Sequence, residues 1–140
     1  AVRAALDDLP LDICGDVYPT YDGTPLRDYV HVEDVAAANA LALRHVLNEC
    51  SIECDIGTGR AHSVLDVVAA VERVAGRSIR KRIVAARPGD PPQLVASVEP
   101  AWHVLGWRPQ HSLADTIASE IAWQRAQRRE SGDPERLATG

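Results

Sequence analysis

Short segments whose apolar residues recur at every second position alternate along this chain with longer segments whose apolar residues recur every three or four, and Gly, Pro or an Asp-Gly pair marks most of the changes. Two periods in alternation are met together by strands and helices in turn, which is the α/β class. Val2, Ala5, Leu6 and Leu9 lie at helical spacing, and residues 11–14 form a brief apolar stretch turned by Gly15-Asp16. Asp22-Gly23 is a turn signal, because Gly accepts positive φ. A strand is expected over 26–32, with Leu26, Asp28, Val30 and Val32 on one face and Arg27, Tyr29 and His31 on the other, leaving a polar face open to a ligand.

Glu33 or Asp34 can cap a helix whose stripe is Val35, Ala38, Ala42, Leu43 and Val46 and which ends near Asn48. Residues 52–56 read as a strand stopped by Gly57-Thr58-Gly59. Ser63 with Asp66, and Ser112 with Asp115, have the spacing of a capping box, each ahead of a helix. The first of these helices turns Val64, Val67, Val68, Val71 and Val74 inward and stops at Gly76; the second runs to about residue 128 with Leu113, Ile117, Ala118 and Ile121 inward. Between them lie an alternating strand at 79–85, a Pro- and Gly-rich ordered loop at 87–92, and a short helix with Pro100 in its first turn, ended by Gly106. Trp102, Trp107 and Trp123 are expected in the core. The short strands have no evident partners within the chain, so part of the sheet is expected from sequence outside it. From residue 130 onward a polar, disordered tail is expected.

Composition narrows the function. At 140 residues, 46% hydrophobic and 25% charged, the chain is in the range of one globular domain or a part of one. No apolar run approaches the ~20 residues that cross a bilayer. Ala1-Val2-Arg3 carries neither Met nor a signal pattern, which reads as a cytoplasmic segment of a longer protein with no membrane role. A net charge of −5 speaks against a nucleic-acid surface, so any bound anion must meet a few placed arginines. Cys14, Cys50 and Cys54 are odd in number and lack ligand spacing, so they read as reduced thiols, with neither a disulfide framework nor a metal site. Gly57-Thr58-Gly59-Arg60-Ala61-His62 lacks the third glycine of a dinucleotide loop and an acidic residue after a following strand, and reads as a strand-to-helix turn.

The runs Gly15-Asp16-Val17-Tyr18-Pro19-Thr20, Asp22-Gly23-Thr24 and Arg27-Asp28-Tyr29-Val30-His31-Val32, then Ile56-Gly57-Thr58-Gly59, Arg87-Pro88-Gly89-Asp90 and Leu105-Gly106-Trp107-Arg108-Pro109, resemble the UDP-glucose 4-epimerases of the extended short-chain dehydrogenase/reductase family. The resemblance covers nearly the whole chain. It implies that residues 1–129 are the C-terminal, UDP-sugar-binding lobe of an extended Rossmann-type enzyme, incomplete without an N-terminal half. That half would bind NAD and supply a Tyr-x-x-x-Lys pair; here Lys81 is the only lysine and Arg77 stands four residues before it, so no catalytic or cofactor-binding residue is assigned to this chain. The complete protein would interconvert UDP-glucose and UDP-galactose as a homodimer. A sister nucleotide-sugar epimerase or dehydratase, or a non-catalytic nucleotide-sugar-binding module, stays open as an alternative.

Carried over residue by residue, the resemblance implies that Arg27 clamps the diphosphate, for which a guanidinium fork is suited. Pairing of Arg27 with Asp28 or Asp22 is the competing reading. Arg87 would contact phosphate and Asp90 the ribose hydroxyls, while Asp12, Ile13 and Cys14 would run along the uracil through backbone groups. Cys14 departs from the family's common Phe and thins the apolar wall beside the base. Tyr29 is given a packing or ligand-adjacent place and His31 a structural one.

Overall fold

The computed structural model describes residues 1–48 and 51–130. Its elements are α1 (Val2–Leu6), β1 (Leu11–Cys14), β2 (Leu26–Arg27), α2 (Val32–Asn48), β3 (His62–Ser63), α3 (Val64–Ala75), β4 (Lys81–Val84), β5 (Gln93–Leu94), α4 (Glu99–Leu105) and α5 (Leu113–Glu130). Among these residues no helix is long and apolar enough to cross a membrane. Cys14 and Cys54 are free thiols, while Cys50 and the tail expected beyond Glu130 lie outside the described residues.

The helices begin where local chemistry satisfies their orphan amides. Ser63 Oγ accepts from the Asp66 amide at 2.9 Å and the Asp66 carboxylate accepts from the Ser63 amide at 3.1 Å, a full capping box. Ser112 and Asp115 repeat it ahead of α5. At the other end of α3, Gly76 takes φ 68°, a left-handed conformation that costs a side chain about 1 kcal/mol or more and glycine almost nothing.

The strands do find partners within the chain, where none was evident from the sequence. β1 and β4 pair in parallel, Leu11 opposite Lys81 through Cys14 opposite Val84. β2 is flanked by β3, antiparallel, and by β5, parallel. The expected strand over 26–32 is shorter than its pattern, because only Leu26 and Arg27 meet ladder partners and α2 has already begun at Val32. Residues 52–56 likewise form no strand: Cys54 and Ile56 pack instead against the α2–α4 core. Alternation reports a half-buried surface, whereas a strand also needs a neighbour to take its hydrogen bonds.

Two apolar clusters hold the elements. Ala4, Ala5, Val68, Ala70, Val71, Ile79, Ile117 and Ile121 join α1, α3 and α5, and Ala38, Ala101 and Trp107 join α2 to α4. Burying Ile117 and Ile121 contributes about 2–3 kcal/mol each. Trp107 is core, at 3% exposure, but Trp102 and Trp123 are 45% and 56% exposed, against expectation. Leu43, Val46, Val74 and Ala118 are also exposed rather than inward. For α2 the reason is length: seven-residue α4 spans about 10 Å and seventeen-residue α2 about 25 Å, so α4 cannot cover the last turns that carry Leu43 and Val46.

Candidate functional site

The two sheets are joined by residues 85–92, and this connector is where most of the expected ligand residues come together. It leaves β4, the partner of β1 with Asp12, Ile13 and Cys14, and enters β5, the partner of β2 with Arg27. A turn closed by the Asp90 amide donating to the Arg87 carbonyl at 3.2 Å sits in its middle. The Leu26 amide donates to the Pro92 carbonyl at 2.8 Å, which lashes the end of the connector to β2.

Arg27 and Asp90, 63 residues apart in sequence, form an ion pair, with Nη2 donating to Oδ1. Arg27 Nη1 donates to the Leu26 carbonyl at 2.6 Å. The competing partners named for Arg27 are engaged elsewhere. Asp28 accepts from the Thr58 and Gly59 amides at 2.9 Å and from Ala96 at 3.3 Å, and Asp22 accepts from the Thr24 amide at 2.9 Å and from Ser63 Oγ. Arg87 is exposed on the same turn as Asp90.

Asp12 is exposed and held by both Arg82 Nε and Nη2, at 2.7 and 2.9 Å; hydrogen bonding from that guanidinium keeps its carboxyl below the ordinary range. Ile13 is fully buried, so its side chain cannot touch a ligand, and Cys14 is half-buried. The amides of Leu11 and Gly15 donate to β4 at the Arg80 and Val84 carbonyls. By strand alternation the amides of Asp12 and Cys14 point to the opposite edge of β1.

Tyr29 and His31, expected on the polar face with Arg27, differ in burial. Tyr29 is half-buried and lines a cleft of about 450 Å³ with Thr58, Arg60, His62 and His111. Burial pushes its phenol pKa up, only partly offset by the charge of Arg27. His31 is buried, stacks on His111 with ring centroids 4.0 Å apart, and accepts the Glu33 amide at Nδ1, 3.1 Å away, so its expected structural place holds.

Two carboxylates organise this region in roles the sequence did not give them: Asp28, read as a competing partner of Arg27, and Asp34, read as a helix cap but lying inside the first turn of α2. Asp28 ties the turn at 57–59 to β2 and to the exit of β5. Buried Asp34 ties the start of α2 to the segment before α5, accepting from the Gln110 and His111 amides at 3.1 Å each and facing His111 Nδ1 at 2.9 Å. Burial, the largest influence on Asp34, opposes its ionisation, but the bonds from the His111 ring and the two amides outweigh it and hold its pKa down. The sequence signals were the place of Asp34 at a helix start and of Asp28 beside Arg27. Partners about 30 and 76 residues away could not be read from them.

The turn at 57–59 fails as a dinucleotide phosphate loop on physical grounds. Its Thr58 and Gly59 amides, the donors a phosphate would need, already point at the Asp28 carboxylate. A Cβ on Gly57 would fall 2.4 Å from Ala96 Cβ and 2.5 Å from Asp28 Oδ2, so this glycine serves close packing. This turn does not fit the pyrophosphate of NAD.

This α/β arrangement is similar to part of epimerases of known structure. Residues 1–57 match the NAD dependent epimerase/dehydratase family. Within that class the resemblance is to UDP-glucose 4-epimerases. The chain is 44% identical to the enzyme of Azospirillum brasilense over 119 residues, 84% of this chain and 34% of that protein, and 39% identical to that of Bacillus subtilis over 115 residues. Its fold is similar to the UDP-glucose-4-epimerase of Stenotrophomonas maltophila solved with NAD and formylated UDP-arabinopyranose, at TM-score 0.87 and 40% identity over 92% of this chain and 39% of that one. It is also similar to the Bifidobacterium longum enzyme with NAD+ and UDP, at TM-score 0.84 and 36% identity over 89% of this chain and 38% of that one. The chain spans about a third of the length of the curated relatives it matches.

Proposed function

We propose that this chain forms the UDP-sugar-binding lobe of an NAD-dependent UDP-glucose 4-epimerase, a cytoplasmic isomerase of galactose metabolism that interconverts UDP-glucose and UDP-galactose. NAD and the reacting groups belong to parts of that enzyme outside this chain, and the complete enzyme is a homodimer. The observation that carries the reading is the connector between the sheets, whose turn bears Arg87 and ion-pairs Asp90 with Arg27 across 63 residues of sequence. Arg27 and Arg87 take the diphosphate, Asp90 the ribose hydroxyls, and the open edge of β1 at Asp12 and Cys14 the uracil. Ile13 acts only by holding that edge in place, and Tyr29 stands beside the ligand.

In a protein of net charge −5, two arginines facing one ligand are the main source of affinity for its anionic part. Each charge-assisted contact contributes about 1.5–3 kcal/mol, so Arg27→Ala weakens UDP binding about ten- to a hundredfold. Arg27→Lys recovers part of the loss, since it keeps the charge but not the fork. Calorimetric titration of UDP into the complete enzyme, with this lobe joined to its N-terminal half, as wild type, Arg27→Ala, Arg27→Lys and Arg87→Ala tests the assignment. Unchanged affinity in both alanine variants places the diphosphate elsewhere. The chain alone should convert no UDP-galactose, having no Tyr-x-x-x-Lys pair, and measurable turnover would refute the division of labour.

A further inference from the structure

We propose that Asp90 is a positioning residue: through Arg27 it pins the turn that carries Arg87, so that both arginines form one anion clamp before any ligand arrives. This rests on the assignment of Arg27 and Arg87 to the diphosphate, and it gives Asp90 a role besides that of a ribose contact.

The guanidinium has five N–H donors, of which the pair with Asp90 Oδ1 and the bond to the Leu26 carbonyl use two. It is therefore oriented from two sides with three donors left for an incoming anion. The Arg27 and Asp90 side chains are 21% and 26% exposed, shielded enough for the pair to outlast ordinary surface contacts yet reachable by a ligand. Asp90 also closes the turn with its amide on the Arg87 carbonyl, and Gly89 within that turn takes φ 78°. The connector is bound to β2 by its backbone only at Pro92, beyond Asp90. On the other side, the next ladder contact is Val84 on β4, before Arg87. Ala86 packs on Gly15 near the Val84 anchor, and between there and Pro92, among the described residues, the Asp90 carboxylate makes the one side-chain hydrogen bond that ties the turn to the body of the lobe. Without it, Arg27 loses its orienting partner and Arg87 swings with an untied turn.

Three roles for Asp90 make opposite forecasts for a ligand that has phosphates but no ribose. A pure ribose contact leaves inorganic pyrophosphate binding unchanged. A carboxylate that merely competes for Arg27 gives tighter pyrophosphate binding when removed. A positioning residue gives weaker binding, and only while Arg27 is present. The test is calorimetric titration of inorganic pyrophosphate and of UDP into the complete enzyme, this chain joined to its N-terminal half, as wild type, Asp90→Asn, Arg27→Ala and the double variant. Asp90→Asn should weaken pyrophosphate binding about tenfold, and should add less than about twofold in the Arg27→Ala background, because residues acting as one unit are not additive. Unchanged or raised pyrophosphate affinity in Asp90→Asn, or effects that multiply in the double variant, overturns the proposal. Amide hydrogen exchange across 88–94 reads the pinning without any ligand and should quicken equally in Asp90→Asn and Arg27→Ala. If the wild type binds neither pyrophosphate nor UDP, the ligand assignment of the arginines fails. Exchange then still decides the pinning, and rates unchanged in both variants overturn it.

Discussion

Removing the Asp34 carboxylate should open the seam between the start of α2 and the segment that leads into α5. Asp34 is 3% exposed and receives two backbone amides, at 3.1 Å each, and faces the His111 ring at 2.9 Å, while its own carbonyl accepts Trp107 Nε1 at 2.9 Å. In Asp34→Ala both amides lose their acceptor; at about 1–3 kcal/mol for each part-buried unpaired donor, the loss is about 2–6 kcal/mol. Asp34→Asn keeps one oxygen for the amides but turns an NH2 toward His111, at a cost of about 1–2 kcal/mol. The pH dependence is two-sided. The lowered pKa of Asp34 means that its contribution is complete above the ordinary carboxylate value of about 4 and is lost as pH falls through the lower folded value. His111 is raised, chiefly by its bond to Asp34, so its contribution is complete below the ordinary imidazole value of about 6.5 and is lost as pH rises through the higher folded value. Both are present in full between about pH 4.5 and 6. Urea unfolding of wild type and both variants, followed by tryptophan fluorescence and circular dichroism at about pH 3, 5.5 and 8, measures this. The gap between wild type and Asp34→Asn should be widest near pH 5.5 and narrow toward both ends. A gap independent of pH, or a cost below about 1 kcal/mol for Asp34→Ala, would refute the reasoning.

Ser63→Ala removes the cap of α3 and the partner of Asp22, and should cost about 1–2 kcal/mol by urea unfolding, more than Ser112→Ala at the exposed cap of α5. Gly57→Ala should destabilise more than Gly76→Ala, because its Cβ collides with Ala96 and Asp28 whereas at Gly76 there is open space and only the φ of 68° to oppose; paired melting curves check the order. Trp102→Ala and Trp123→Ala should each cost well under the about 3–5 kcal/mol of a buried aromatic, which Trp107→Ala should reach.

The helices could be read from the chain because what starts and stops them lies within three or four residues. Ser63 with Asp66, Ser112 with Asp115, and the left-handed glycines 76 and 106 settle their own ends whatever surrounds them. The motif runs around Arg27, Gly57 and Arg87 likewise carry the resemblance to epimerases that the fold comparison repeats. The chain alone did not say which alternating stretches become strands. Residues 26–32 and 52–56 have the period but not the neighbours, and hydrogen-bond partners are supplied only by distant segments. Nor did it say which apolar positions are covered: Trp107 meets Ala38 and Ala101, while Trp102 and Trp123, alike in composition and spacing, face outward. Charge pairing is the clearest case. Arg27 had acidic neighbours at 22 and 28, and tertiary structure passed over both for Asp90, because backbone amides at Thr24, Thr58 and Gly59 had already taken those carboxylates. A carboxylate near a turn goes to whichever donors folding leaves unpaired, and that is decided by the three-dimensional path of the chain rather than by distance along it.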